Sequence, residues 1–195
     1  MLIVLTGIDG SGKTTAAQAL ARDRGALLLS NYAGRRRMSL FADRSGLRFP
    51  ARLADAVETT VRTVNVLVSH ARAKNYGGLV VMDRHLFCQL ALRQAKGLPR
   101  GRFLPYLLRM LPKPDMVVHL VVDPEQALRR VLARGTDTES LEELRSLDAA
   151  YRSLPEYEDF LKIDASGTPD EVLAALSQLV EVHAAGRPVL TASPR

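Results

Sequence analysis

Eight residues near the N-terminus have the types and the spacing that phosphate binding requires. Residues Gly7 to Thr14 read GIDGSGKT, which matches the pattern Gly-x-x-x-x-Gly-Lys-Thr. This pattern binds nucleoside triphosphates when it lies between a strand and a helix. The apolar run Leu2 to Leu5 predicts a buried strand before it, and Lys13 to Ala21 is rich in strong helix formers. The glycines are therefore expected at a strand-to-helix turn.

This turn predicts how a triphosphate would be held. Glycines let the backbone curl until its N–H groups converge on the phosphate oxygens, and the helix dipole adds its positive end. Lys13 would reach the β- and γ-phosphates, and the Thr14 hydroxyl would bind Mg²⁺. We expect ATP with Mg²⁺ to contact Gly7, Asp9, Gly10, Ser11, Gly12, Lys13, Thr14 and Thr15.

Two more residues with useful chemistry follow another apolar run. Leu79 to Met82 predicts a buried strand, and Asp83 and Arg84 come directly after it. In parallel sheets, ligands collect beyond the carboxyl ends of the strands. An acid there binds Mg²⁺ directly or through water, so we expect Asp83 to share the metal with Thr14. The Arg84 guanidinium would hold an anionic group of the substrate.

Strands and helices alternate along the chain, which predicts an α/β fold with a parallel sheet covered by helices on both faces. A long helix is expected from Ala51 to Lys74, with its valines toward the core and Glu58 and Arg62 on the polar side. A closing helix is expected over residues 170–182. Five strands are expected, over residues 2–5, 26–29, 79–82, 116–122 and 160–163.

The composition indicates one globular domain. Of the 195 residues, 47% are hydrophobic and 25% are charged, and no apolar run approaches the roughly 18 residues that span a bilayer. Nothing at the N-terminus resembles a signal peptide. Cys88 is the only cysteine, so an intrachain disulfide and a cysteine-built zinc site are excluded. A reducing, cytoplasmic location is expected.

The net charge of +6 favours anionic partners. Most of the cations are arginines, whose planar forks suit phosphate oxygens. Nucleic acid is a weaker expectation than a small nucleotide, because aromatic residues make up 5% of the chain and tryptophan is absent. His119 is expected in a buried strand, and His70 and His183 at the surface.

Over most of its length the chain resembles the thymidylate kinases, a family of P-loop nucleoside monophosphate kinases. The first motif is similar to the family's Gly-x-Asp-Gly-x-Gly-Lys-x-Thr, and Gly77 to Arg84 resembles its glycine, apolar strand and Asp-Arg pair. Arg130, Arg134 and Gly135 match its Arg-x-x-x-Arg-Gly lid motif. The motifs occur in the family's order and at its spacing.

The resemblance implies a three-layer P-loop kinase fold for residues 1–183, with a short lid near residues 134–141 and a C-terminal tail over 184–195. It also implies transfer of the γ-phosphoryl group of ATP to a nucleoside monophosphate, by default thymidine monophosphate (dTMP), and allows a homodimer. The implied catalytic residues are Lys13, Asp9, Arg84, Arg130 and Arg134, with Arg130 also at ATP. The implied acceptor residues are Asp9, Tyr32, Arg62, Arg84, His85 and Gln89.

The chain departs from the family pattern in the acceptor region. Residues 30–37 read SNYAGRRR, where the family has an Arg-Glu-Pro or Pro-Arg-Tyr loop. Leu92 stands where the family has a tyrosine that helps to exclude ribose, and residues 136–140 form a shortened lid. Two other functions therefore stay open: a kinase for a hydroxyl group of a nucleoside or other small molecule, and a nucleotide-dependent switch or nucleic-acid-binding NTPase.

Overall fold

The computed structural model describes residues 1–31, 51–135 and 139–186. Tyr32, residues 136–138 of the expected lid and the expected tail from residue 187 onward lie outside the described residues. The strands are Leu2–Thr6 (β1), Leu27–Ser30 (β2), Val80–Asp83 (β3), Met116–Val121 (β4) and Leu161–Asp164 (β5). The helices are Lys13–Arg24 (α1), Ala51–Lys74 (α2), Leu86–Ala95 (α3), Phe103–Met110 (α4), Pro124–Arg134 (α5), Leu141–Arg152 (α6) and Pro169–Ala185 (α7), with a short 3₁₀ helix at Tyr157–Asp159.

As predicted, the five strands form one parallel sheet, and the structure gives its strand order as β2-β3-β1-β4-β5. Successive side chains of a strand point to opposite faces. Ile3 and Leu5 of β1 therefore join one core cluster, whereas Val4 joins a second cluster on the other face. Burial on both faces explains why the central strands β1, β3 and β4 are predominantly apolar.

The strand register brings the carboxyl ends of the central strands together. Leu5 of β1 pairs with Asp83 of β3 on one side and with Val118 of β4 on the other. Ser30 at the end of β2 also pairs with Asp83. The residues that follow β1, β2 and β3 therefore meet at one edge of the sheet, as the α/β architecture requires.

The long helix α2 has the predicted bounds, but the prediction of its buried face was wrong. Val64 and Val68, expected in the core, are 51% and 53% exposed, whereas Glu58 and Arg62 are each 4% exposed. Hydrophobic periodicity assumes that the inner face is apolar. Here the inner face carries charged groups that pair with one another, which makes their burial tolerable.

The remaining elements follow local signals. Asp123 caps α5, since its Oδ1 accepts from the backbone N–H groups of Glu125 and Gln126 at 2.8 and 3.2 Å. His119 is buried in β4 as predicted, with Nδ1 at 3.1 Å from Thr6 Oγ1. None of the helices in the described part of the chain is long and apolar enough to span a membrane.

Candidate functional site

The loop between β1 and α1 has the shape that phosphate binding requires. Gly7, Gly10 and Gly12 have positive φ angles of 142°, 82° and 86°. A Cβ atom on Gly7 would lie 2.8 Å from the Leu120 carbonyl oxygen, and one on Gly10 would overlap the Ala127 carbonyl group. Both positions therefore need glycine, since the loop packs its backbone directly onto β4 and α5.

Lys13 begins α1, and its side chain folds into this loop. Its Nζ donates to the Ile8 carbonyl oxygen at 2.5 Å and to Ser11 Oγ at 3.3 Å, and lies 3.8 Å from Asp9 Oδ1. Burial lowers the pKa of Lys13, and the Asp9 charge acts in the opposite direction. The ammonium group is thus held inside the turn, whereas Thr15 is exposed on the helix.

Thr14 and Asp83, which were predicted to share a metal ion, are in direct contact. Thr14 Oγ1 donates to Asp83 Oδ2 at 2.7 Å. A hydroxyl and a carboxylate are hard oxygen donors of the kind that Mg²⁺ prefers. Within the described ranges no three His, Cys, Asp or Glu side chains cluster as a metal site. Proteins usually bind Mg²⁺ through one or two carboxylates together with substrate phosphates.

Asp9 and Arg84 form an ion pair beside Lys13. Arg84 Nη2 donates to Asp9 Oδ1 at 2.6 Å. Burial by itself would raise the pKa of Asp9, but the charges of Arg84 and Lys13 outweigh it and hold that pKa far below its usual range. Burial would likewise lower the pKa of Arg84, and Asp9 raises it above its ordinary value. The pair is therefore fully charged at neutral pH.

The backbone of Arg84 is held in an unusual conformation by two residues that the sequence analysis did not single out. Arg84 has a φ of 75°, the one non-glycine residue with a positive φ in the described ranges. Asn31 Nδ2 donates to the Arg84 carbonyl oxygen at 2.8 Å, and Ser69 Oγ donates to Asn31 Oδ1 at 2.7 Å. Asn31 directly follows β2, so the strand-end argument that selected Asp83 applies to it as well.

The inner face of α2 and the start of α3 form a buried polar wall. Arg62 Nη2 donates to Glu58 Oε1 at 3.2 Å, and Gln89 Nε2 donates to Thr59 Oγ1 at 2.9 Å. Burial lowers the pKa of Arg62. Arg62 Nε and Gln89 Oε1 are buried and have no hydrogen-bond partner among the described residues. Buried polar atoms are normally paired, so these two indicate a place for a polar ligand.

His85 contacts His70, which the sequence analysis wrongly placed at the surface. Both rings are buried, and their Nε2 atoms lie 2.9 Å apart, so one ring donates and the other accepts. Burial, aided by His70, lowers the pKa of His85 to about 3, and burial also lowers the pKa of His70. The pair is neutral at pH 7 and supports the turn after β3 without adding charge.

We expect the free energy of unfolding to fall as the pH drops from 7 to 5. An unfolded histidine has a pKa of about 6.5 and binds a proton in this range, whereas folded His85 does not until about pH 3. The stability that neutral His85 contributes is complete above pH 6.5 and is lost below it, by about 2 kcal/mol at pH 5. Urea unfolding at pH 7, 6 and 5 measures the loss.

His85→Gln removes the protonation of His85 and is the test variant. His183→Gln, near the end of α7, keeps His85 and is the matched control. Burial lowers the pKa of His119 to about 4. His119 therefore also lowers the free energy of unfolding at acidic pH, and it does so in both variants. The pH dependence should be shallower in His85→Gln alone. Equal slopes in the two variants would contradict the assignment.

Arg130 contacts the loop after β5. Arg130 Nη1 donates to the Ala165 carbonyl oxygen at 2.8 Å, and its Nη2 donates to the carbonyl oxygens of Ser166 and Gly167 at 3.0 and 3.1 Å. Arg130 thereby ties α5 to that loop. Arg134 lies exposed in the last turn of α5, beside residues 136–138.

Comparison with known proteins agrees with this arrangement. Residues 59–176 match the family model of thymidylate kinase. A probable thymidylate kinase of Pyrobaculum aerophilum is 31% identical over 92% of this chain and 95% of the relative. A thymidylate kinase of Xanthomonas campestris is 31% identical over 96% of this chain and 86% of the relative.

A solved structure has the same fold. The thymidylate kinase of Candida albicans superposes with a TM-score of 0.71 at 20% identity, covering 94% of this chain and 92% of that one. The sheet and the phosphate-binding loop define a P-loop kinase fold, as predicted. The chain belongs to the thymidylate kinase family, and it is a phosphotransferase of the nucleoside monophosphate kinase class.

Proposed function

We propose that this chain transfers the γ-phosphoryl group of ATP to dTMP. The observation that carries the proposal is the position of Arg84, a half-buried cation that lies between the phosphate-binding loop and the polar wall of α2 and α3. A cation in this place can bind the phosphate of an acceptor whose base rests on the wall. The homologous thymidylate kinases support this choice of acceptor.

The donor would bind at the loop between β1 and α1. The loop amides and Lys13 would hold the phosphates of ATP, with Gly7, Gly10 and Gly12 keeping the backbone close to them. Thr14 and Asp83 would hold Mg²⁺, which when bound neutralises charge on the transferred group. Both side chains fit that role, because their oxygen atoms already lie within 2.7 Å of each other.

The acceptor would bind with its phosphate at Arg84 and its base at Arg62 and Gln89. The oxygens of a monophosphate are already ionised at neutral pH, so the attack needs positioning more than a general base. Asp9 fits this view, because its pKa is held far below the usual range and a carboxylate of that kind is a poor base. Asp9 would orient Arg84 instead. Tyr32 and His85 would complete the acceptor site.

Two arginines of α5, Arg130 and Arg134, would act on bound ATP and on the phosphoryl group that it transfers. Arg134, exposed at the end of α5, would close over the bound phosphates. Arg130 would act on the donor, because it positions the loop of residues 165–167. Charge that develops during transfer is where such cations are most effective.

A screen for ADP release tests the proposed function. ATP and Mg²⁺ are supplied with one candidate acceptor at a time: dTMP, other nucleoside monophosphates, thymidine, or none. We expect ADP release that depends on dTMP, with thymidine inactive. Thymidine as the better acceptor would instead support a hydroxyl kinase, and release without any acceptor would support a switch. The homologues do not favour either alternative.

We also propose that the chain forms a homodimer through the outer face of α2. Val57, Val61, Val64 and Val68 lie at helical spacing on that face and are 37–53% exposed. Exposed apolar stripes of this kind mark interaction sites. A two-fold axis would pack the stripe against its own copy, with ridges of one helix in the grooves of the other.

Val64→Asp is expected to convert the dimer to a monomer, because it places a charge in the centre of the apolar stripe. Sedimentation velocity of the two proteins at equal concentration measures the change. Val182→Asp is the matched control, since Val182 on α7 is 66% exposed outside the stripe. A wild-type protein that sediments as a monomer would exclude the proposed interface.

A cytoplasmic location is a further proposal. It rests on Cys88, a single cysteine that is buried and free, as suits a reducing compartment. Fractionation of cells that produce the protein tests it.

A further inference from the structure

The amide of Gln89 has a defined orientation. Its Nε2 donates to Thr59 Oγ1 at 2.9 Å and lies 3.5 Å from Asp55 Oδ1. A carboxylate accepts hydrogen bonds and cannot donate them, so the nitrogen end of the amide must face Asp55. The opposite end, Oε1, is buried with no partner in the described ranges. Gln89 therefore presents an acceptor, and not a donor, to a ligand.

Asp55 is itself held firmly. Its side chain is 5% exposed, and its Oδ2 accepts from Nη1 of Arg93 on α3. Arg93 Nη2 also donates to the Pro99 carbonyl oxygen at 3.1 Å, which fixes the guanidinium at the end of α3. A carboxylate buried without such a cation would be costly. The pair therefore keeps the Asp55 oxygens in place beside the Gln89 amide.

The wall also offers a donor on the helix face that carries Asp55 and Thr59. Asp55, Thr59 and Arg62 occupy positions i, i+4 and i+7 of α2 and so share one helix face. Arg62 is a donor only, and its Nε has no partner within the part of the chain that the structure describes. The wall thus combines an acceptor, Gln89 Oε1, with a donor, Arg62 Nε. Arg62 lies on α2 about one helical turn after Thr59.

This combination suits one kind of pyrimidine. A thymine ring has an N3–H donor flanked by two carbonyl acceptors, so N3–H can meet Gln89 Oε1 while a carbonyl meets Arg62. A cytosine ring has an unprotonated N3 and an amino donor in place of one carbonyl, so lone pairs would oppose Oε1 and N–H groups would oppose Arg62. Buried polar atoms left unpaired in this way are costly.

We propose that Asp55 is a positioning residue for base selection: its carboxylate, with Thr59, locks the Gln89 amide so that Oε1 faces the acceptor and admits a base with a ring N–H. This inference rests on the proposed function, because it concerns the base of the same acceptor. It assigns to Asp55 a role in discrimination and none in phosphoryl transfer itself.

The test compares dTMP with dCMP as acceptors for wild-type protein and Asp55→Asn. Asparagine can donate as well as accept, so Gln89 is free to turn its amide in the variant. The ratio of kcat/KM for dTMP to that for dCMP should fall about tenfold or more, the size of one misplaced buried hydrogen bond. The KM for dTMP should rise while kcat stays unchanged.

Three further variants distinguish an effect on the orientation of the Gln89 amide from a general loss of structure. Asp148→Asn, which breaks a surface pair with Arg152 on α6, should leave the ratio unchanged. Asp55→Asn added to Gln89→Leu should have no further effect on the ratio, because the amide it positions is gone. Thr59→Val removes the second group that orients the amide and should lower the ratio in the same direction, even where Asp55→Asn fails to fold.

The outcomes are distinct. A ratio that is unchanged in folded Asp55→Asn and in Thr59→Val overturns the inference while leaving the proposed function intact. If the wild-type protein releases no ADP with dTMP, the proposed function fails and the inference fails with it. A lower ratio in Asp55→Asn that persists in the Gln89→Leu background would mean that Asp55 acts by another route, and would also overturn the inference.

Discussion

Lys13→Ala is expected to abolish phosphoryl transfer while the protein stays folded. Lys13 is the cation inside the phosphate-binding loop, and its Nζ lies within hydrogen-bond distance of the loop itself. Charge stabilisation by preorganised groups of this kind is worth roughly 3–4 kcal/mol, about a factor of 10²–10³ in kcat. ADP release with saturating ATP and dTMP measures the loss.

Lys74→Ala, at the exposed end of α2, is the matched control and should retain full activity. Circular dichroism and urea unfolding should show little change in Lys13→Ala, because the removed side chain belongs to the loop and Asp9 keeps Arg84 as its partner. Near-normal turnover in Lys13→Ala would remove the basis for placing ATP at this loop.

Arg84→Ala is expected to raise the KM for the acceptor by a factor of about 10–150. A charged hydrogen bond contributes roughly 1.5–3 kcal/mol, and the alanine variant has no group that could replace the guanidinium. The KM for ATP should change little, because Lys13 and the loop amides remain. Initial rates over a matrix of dTMP and ATP concentrations separate the two constants.

Arg84→Lys refines this prediction. Lysine keeps the charge but lacks the planar fork, so its KM for the acceptor should lie between those of the wild type and Arg84→Ala. Arg152→Ala, which removes an exposed guanidinium from α6, is the control for loss of an arginine. If the acceptor KM in Arg84→Ala equals that of the control, Arg84 does not hold the acceptor phosphate.

The sequence predicted the elements on which the candidate site lies, because those elements depend on local pattern. The phosphate-binding loop is contiguous, and Asp83 and Arg84 follow directly from the end of an apolar strand. The parallel sheet followed from the alternation of elements. Helix α6 carries a local signal as well, since Ser140 and Glu143 form a reciprocal capping box that could have located its start.

The other features of the site depend on contacts between residues that lie far apart in the chain. Asn31 reaches Arg84 across 53 residues, and His70 reaches His85 across 15, so no local pattern shows either contact. The inner face of α2 was misjudged for the same reason. A buried charge such as Asp55 is stable only through a partner on another helix, and hydrophobic periodicity carries no information about that partner.

The positive φ angle of Arg84 places chemistry and backbone preference in conflict. A residue chosen for stability alone at this position would be glycine or asparagine, which adopt the left-handed region readily, whereas most residues lose about 1–2 kcal/mol there. The chain has arginine, and Asn31 and Ser69 hold it. If Arg84 binds the acceptor phosphate as proposed, position 84 gives up folding stability for activity, and selection for thermostability alone would remove the arginine.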